Sequence, residues 1–175
     1  MLPLTTGFEM VRVYDKKHNI IGEGKFNEDY STVPNAIYTK HEGYDEASPY
    51  GSKVKCNING NVITAVERPD GYGKCLVIQD ITDRRLFYLG GHLSQILVKL
   101  GQPLKPGDIV AFSGNSGGFR GIAPIHFHLG VYFVESTLIY DKGGLKGLYN
   151  SNGFLNQQFA VDPFDHAIKW LGKRK

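Results

Sequence analysis

In His126-Phe127-His128 two imidazoles stand two residues apart. An extended backbone sends alternate side chains to opposite faces, so His126 and His128 share one surface while Phe127 enters the other. Two convergent imidazoles are half of a metal site, although the same spacing suits a strand whose outer face simply carries polar residues. A second block, His41-Glu42-Gly43-Tyr44-Asp45, supplies an imidazole and a carboxylate four residues apart. Helical spacing would bring those two together, but Gly43 and the strand-rich neighbourhood favour a turn that gathers them on one side. With Glu42, Asp45 and Glu46 all charged, the block reads equally well as a solvated acidic loop. Zinc accepts nitrogen and oxygen ligands in tetrahedral sites, and catalytic sites keep three protein ligands with one position open. Two histidines and one aspartate meet that count. Of the other histidines, His18 falls in a turn and His166 on a terminal helix, while His92 follows Gly90-Gly91 and by itself reads as a surface histidine in a turn.

The elements that must position these residues are short. Phe8 to Tyr14 alternates apolar and polar, Asp15 to Asn19 is turn-like, and Ile20 to Phe26 returns, predicting an N-terminal hairpin. Strands are predicted at Lys53–Ile58, Asn61–Glu67, Lys74–Asp80, Arg85–Leu89, Asp108–Ser113 and His126–Phe133. Asn59-Gly60 and Pro69-Asp70-Gly71 supply the positive φ and the fixed φ that hairpin connections need, and Pro103 to Asp108 gives a polar turn. Gly91 to Lys99 is ambiguous, with a helical turn as one reading. Residues 135–158, rich in glycine, asparagine and tyrosine, predict a surface excursion with at most one hairpin. A short C-terminal helix follows, with Asp162 as N-cap, Pro163 at the first helical position, Phe164, Ala167, Ile168 and Leu171 on one face, and Gly172 as its stop.

The composition agrees with a mainly β, antiparallel fold in one domain. The 175 residues are 41% hydrophobic and 21% charged, enough to bury a core, with 22 glycines and 8 prolines spread without a period. Disorder, collagen and coiled coil are excluded, and no apolar run is long enough for a membrane-spanning helix. The net charge of +3 is mild, four of the positive charges lying in Lys169 to Lys175, and no nucleic-acid motif accompanies it. Met1 to Met10 lacks the basic and apolar regions of a secretory signal. Cys56 and Cys75, without a C-x-x-C spacing, read as two free, partly buried thiols. Nothing in the residues speaks to oligomeric state.

Further blocks accompany the two histidine motifs: Gly71-Tyr72-Gly73, Gly90-Gly91-His92-Leu93-Ser94, Val98-x-x-Gly101-Gln102-x-Leu104-x-x-Gly107-Asp108 and Ser113-Gly114-Asn115-Ser116-Gly117. In order and spacing the chain resembles the lysostaphin-type (LytM-type) zinc endopeptidases that cut peptidoglycan peptides. The resemblance runs from about Lys40 to Phe133, with a weaker echo at Val161-Asp162-Pro163. It implies the antiparallel sheet or sandwich of that family, a duplicated hybrid motif, with residues 40–134 as the zinc peptidase core. Residues 1–39 are then a hairpin extension, and 135–175 the excursion and helix.

Residue by residue, the resemblance makes His41, Asp45 and His128 the ligands of one Zn2+ per chain. His126 and His92 become the two non-ligand histidines, the first taking a proton from water and the second donating to the oxyanion. Zinc in such a site activates water near neutral pH and polarises a carbonyl. Two departures from the family pattern touch the groove: Gly90 and Gly91 stand where aromatic residues or alanine are common, and Phe127 then Leu129 reverse the commoner leucine-then-phenylalanine order. The implied partner is a peptidoglycan peptide and the implied place of action the bacterial cell wall. An export signal is either absent or trimmed away; with the unmatched N-terminal hairpin and the compact catalytic unit, its absence points toward a phage or prophage lysin. The competing readings are a non-catalytic, zinc-containing wall-binding or virion module and, less favoured, a phosphocarrier domain, which has no use for this ligand set.

Overall fold

Short runs of β-branched and aromatic residues, cut by glycine and proline, give strands that must pair to satisfy their backbones. The computed structural model describes residues 11–15, 17, 19–24, 30–36, 43–46, 48–69, 71–118, 122–134 and 157–161. The chain order is β1 (Val11–Tyr14), β2 (Ile20–Gly24), β3 (Gly43–Glu46), β4 (Lys53–Lys55), β5 (Gly60–Glu67), β6 (Lys74–Asp80), β7 (Leu86–Ile96), β8 (Pro103–Leu104), β9 (Ile109–Ser116), β10 (Ile122–Phe133) and β11 (Ala160–Val161). The first two form the expected N-terminal hairpin, Val11 opposite Gly24, with Asp15 accepting backbone N–H groups of Lys17 and Asn19 in its turn. Among the described residues the remaining nine strands form one sheet whose pairs are all antiparallel.

The centre of that sheet is the run β5-β6-β7-β10. β5 and β6 pair from Gly60↔Asp80 to Glu67↔Lys74 across the Pro69-to-Gly71 connection. β6 returns into β7 through a tight turn in which the Asp80 carboxylate accepts from Thr82 N–H at 2.7 Å and Thr82 Oγ1 at 2.6 Å. Leu76, Ile78, Tyr88, Leu93, Val110, Phe127, Leu129 and Val131 fill the main core, while Val77, Phe87, Leu89 and Tyr132 pack in a second cluster. Each such side chain, fully buried, contributes about 1.5–3 kcal/mol.

Two expectations are corrected. Asn59-Gly60 does not close a hairpin: β4 is only three residues long and pairs with β9, Lys53↔Phe112, whereas β5 pairs with β6 and β8. Cys56 N–H donates to Asp108 O and Gly107 N–H to Cys56 O, so the chain after β4 is bound to the turn before β9 instead of to β5. Gly91 to Lys99 holds no helical turn; β7 continues as strand to Ile96 because β9 offers it a second partner, Leu93↔Ser113 to Ile96↔Ala111. The expected C-terminal helix and the excursion over 135–156 lie outside the described residues. Gln157–Phe159 form one 3-10 turn that leads into β11, which adds to β10 as Val131↔Val161. Cys56 and Cys75 are free thiols, as expected, and both are buried instead of partly so. Among the described residues no helix is long and apolar enough to cross a membrane.

Candidate metal centre

The sheet forks where the histidines lie. β7 is paired with β10 up to Gly91↔His128 and with β9 from Leu93↔Ser113 onward, so His92 occupies the residue at which the strand changes partner. β10 makes the complementary exchange: His126 stands opposite Gly114 of β9, and His128 opposite Gly91 of β7. On the other edge of β10, β3 places Asp45 directly across from His128 and Glu46 across from Phe127. A residue and its direct antiparallel partner project from the same face, so Asp45 meets His128 although 83 positions separate them.

The resulting cluster is dense and dry. Asp45, His92, His126 and His128 are exposed by 3%, 8%, 7% and 2%. Oδ1 of Asp45 lies 3.0 Å from Nδ1 of His128 and 3.4 Å from Nε2 of His126. One ring nitrogen from each of His92, His126 and His128 falls within 4.8 Å of the others. The rings of His92 and His126 are 4.5 Å apart, and those of His92 and His128 5.9 Å. Donors held about 2.0–2.1 Å from a tetrahedral zinc stand roughly 3.3 Å from one another. The 3.0 Å between the proposed ligand atoms of Asp45 and His128 is close to that edge, and a carboxylate beside an imidazole nitrogen is a donor pair zinc accepts. The residues present therefore fit a zinc ion. His41 lies outside the described residues, so the structure brings together four of the five residues expected from the sequence.

His92 is no surface histidine. Its φ of 57° places a non-glycine residue in the left-handed region, a conformation that costs about 1–3 kcal/mol and persists because the surroundings impose it. Its N–H donates to Tyr72 O at 2.8 Å, and its Nδ1 lies 2.8 Å from Ser116 O. A carbonyl can only accept, so Nδ1 carries the proton and Nε2 is the acceptor of the neutral ring. Burial pushes the His92 pKa down from 6.5 to about 3, and the neighbouring imidazoles of His126 and His128 push the same way.

Tyr72 and Ser116 stand against the histidines, a placement that their glycine-rich blocks did not specify. The Tyr72 ring packs 5.0 Å from that of His128 and 6.3 Å from that of His92, and its hydroxyl lies 3.4 Å from the Tyr132 hydroxyl. A turn tyrosine between two glycines was the available signal, but which ring it would cover depends on the pairing of β10. The departures at Gly90, Gly91 and Phe127 have a packing reason. A Cβ at 90 would lie 3.0 Å from the Phe127 ring, and one at 91 would lie 3.2 Å from the Tyr72 ring. The larger Phe127 is accommodated where residue 90 has no side chain.

An antiparallel sheet thus gathers three histidines and an aspartate at a fork, and comparison with known proteins gives the family. The sequence model of peptidase family M23 matches residues 39–138, and the chain belongs to that family. The peptidoglycan DD-endopeptidase ShyB of Vibrio cholerae is 34% identical over 169 residues, covering 95% of this chain and 34% of that protein. The chain thus spans about a third of that relative's length. Among solved structures, the catalytic domain of lysostaphin from Staphylococcus simulans superposes with a TM-score of 0.55 at 23% identity, covering 73% of this chain and 78% of that one. A zinc-containing peptidase from Vibrio cholerae gives 0.52 at 27% identity, over 69% of this chain and 36% of that one. The expected lysostaphin-type fold is borne out.

Proposed function

We propose that this chain is a zinc-dependent endopeptidase that hydrolyses peptide bonds of bacterial peptidoglycan, and so acts at the cell wall. The observation that carries the reading is the Asp45 carboxylate, buried at 3.0 Å from His128 Nδ1 and 3.4 Å from His126 Nε2 in a family M23 fold. His41, Asp45 and His128 are the residues that would hold zinc. When bound, the ion supplies Lewis acidity that polarises the scissile carbonyl and lets water attack near neutral pH. The activity named for the 34% identical relative makes a cross-link bond between D-configured residues the first bond to test, ahead of a glycine bridge.

The two remaining histidines divide the proton work. With Nδ1 committed to the Ser116 carbonyl, neutral His92 offers a lone pair at Nε2 and not a proton. The role of oxyanion donor expected for it would need a doubly protonated ring, which burial opposes. We therefore give His92 the acceptance of the proton from the attacking water and its return to the leaving amine. His126 is given the steadying of the developing oxyanion: the 3.4 Å between its Nε2 and Asp45 Oδ1 is longer than an ordinary hydrogen bond, so an N–H at Nε2 can turn to the substrate oxygen. The fork excludes bulk water around these groups, which strengthens each of these interactions.

The test is digestion of purified walls of several chemotypes by the zinc-loaded protein, with mass spectrometry of the released fragments and assay of new amino groups. New amino groups at a defined bond are expected. Walls that bind the protein but release none would replace the enzyme with a non-catalytic, zinc-containing wall-binding module.

A further inference from the structure

The Ser116 side chain joins three strands beside the fork. Its hydroxyl donates to Leu93 O of β7 at 2.7 Å and accepts from Lys74 N–H of β6 at 2.8 Å. Its own carbonyl, at the end of β9, is the group that receives His92 Nδ1–H at 2.8 Å. Leu93 is the residue after His92, so one serine grips the backbone just beyond the strained residue with its hydroxyl and the ring with its carbonyl. The hydroxyl uses its one proton toward Leu93 and a lone pair toward Lys74, which fixes its rotamer and the position of the backbone that carries it.

The approach is close enough to exclude side chains on the facing turn. Gly73 and Gly117 have φ of 62° and 73°, and a Cβ on Gly73 would overlap the Ser116 backbone and hydroxyl. Gly118 N–H donates to Gly71 O at 2.6 Å and closes the two turns on each other. The Ser116 carbonyl is thus held from both sides of the chain and cannot drift without breaking bonds to β6 and β7.

We propose that Ser116 is a positioning residue for His92: its hydroxyl clasp on Lys74 and Leu93 holds the Ser116 carbonyl where it locks the His92 ring in the Nδ1–H tautomer. The role rests on the proton-accepting part given to His92 above. Ser116 touches no reacting atom; it keeps His92 Nε2 available as an acceptor. Without the hydroxyl, Leu93 O and Lys74 N–H both lose a half-buried partner, and the carbonyl is free to leave the ring, which then samples both tautomers.

The experiment uses the full zinc-loaded chain with 15N-labelled histidine and reads the His92 tautomer by long-range 1H–15N correlation, with wall-substrate kinetics on the same samples. Wild type should show His92 protonated at Nδ1. Ser116→Ala should keep its zinc, show a mixed His92 tautomer, and lose about 10- to 100-fold in kcat with little change in KM. Ser116→Thr, which retains the hydroxyl, should restore both readouts. Should Ser116→Ala fail to fold, Ser116→Cys, similar in size but a weak hydrogen-bonding group, carries the same comparison. A wild-type His92 protonated at Nε2, or a Ser116→Ala protein with unchanged tautomer and turnover, overturns the proposal. Failure of the proposed function looks different: wild type would then cleave no wall while the tautomer shift between wild type and Ser116→Ala persisted in support of the clasp.

Discussion

Replacing Gly43 by alanine tests the metal centre without replacing any proposed ligand. Gly43 begins β3 opposite Gly130, and a Cβ built there would lie 2.6 Å from His128 Nε2, 2.7 Å from its Cε1 and 2.5 Å from Leu129 O. Ordinary contact begins near 3.4 Å, so the His128 ring would have to retreat by about 0.8 Å, or β3 would have to shift away from β10 by as much. Either movement pulls Asp45 and His128 apart, and zinc donors are placed to within about 0.2 Å. We expect a stability loss of about 1–3 kcal/mol from overpacking and a 10- to 100-fold fall in zinc affinity. Competition with a chromophoric chelator measures the second, and urea unfolding of the metal-free protein the first. A folded Gly43→Ala protein that binds zinc within about threefold of wild type would refute the packing of His128 against β3.

The remaining tests follow from the same geometry. His41→Ala, Asp45→Ala and His128→Ala should each abolish stoichiometric zinc, because a three-ligand site loses most of its hold with one donor; full occupancy measured by elemental analysis in any of them removes that residue from the ligand set. His92→Ala and His126→Ala should keep zinc and fold yet lose about 10²-fold or more in kcat, and near-wild-type turnover in either would remove its proton role. Burial pushes Cys56 and Cys75 each up to about 11, so at pH 8 only about one thiol in a thousand is ionised, against about one in ten for a free thiol at 9.0. Iodoacetamide should therefore label neither cysteine in the folded protein at pH 8 and both in urea; rapid labelling of the native protein would contradict the burial. Cys75→Ser should retain zinc and activity.

The candidate site residues were legible because their meaning is local. H-x-H on a strand puts two imidazoles on one face by the pleat alone, and the histidine and glycine blocks in order carried the resemblance from Lys40 to Phe133. The turns at Asp15–Asn19 and Pro69–Gly71 were equally local, since the dihedral preferences that form them belong to the residues themselves. Strand pairing is not local. Asn59-Gly60 has hairpin chemistry, yet β4 pairs with β9 because an edge that satisfies its backbone exists 54 to 59 residues further along, from Lys55↔Ile109 to Lys53↔Phe112. β7 runs through Gly91 to Ile96 for the same reason, exchanging β10 for β9 at His92. Only that exchange buries His92, imposes its positive φ and brings it to the Ser116 carbonyl. Sequence nominated His92 by resemblance and assigned it the donor's part, whereas the hydrogen bond across the fork makes its neutral form an acceptor. A side chain's identity lies in the sequence, but which of its two nitrogens holds the proton depends on a partner supplied by another strand.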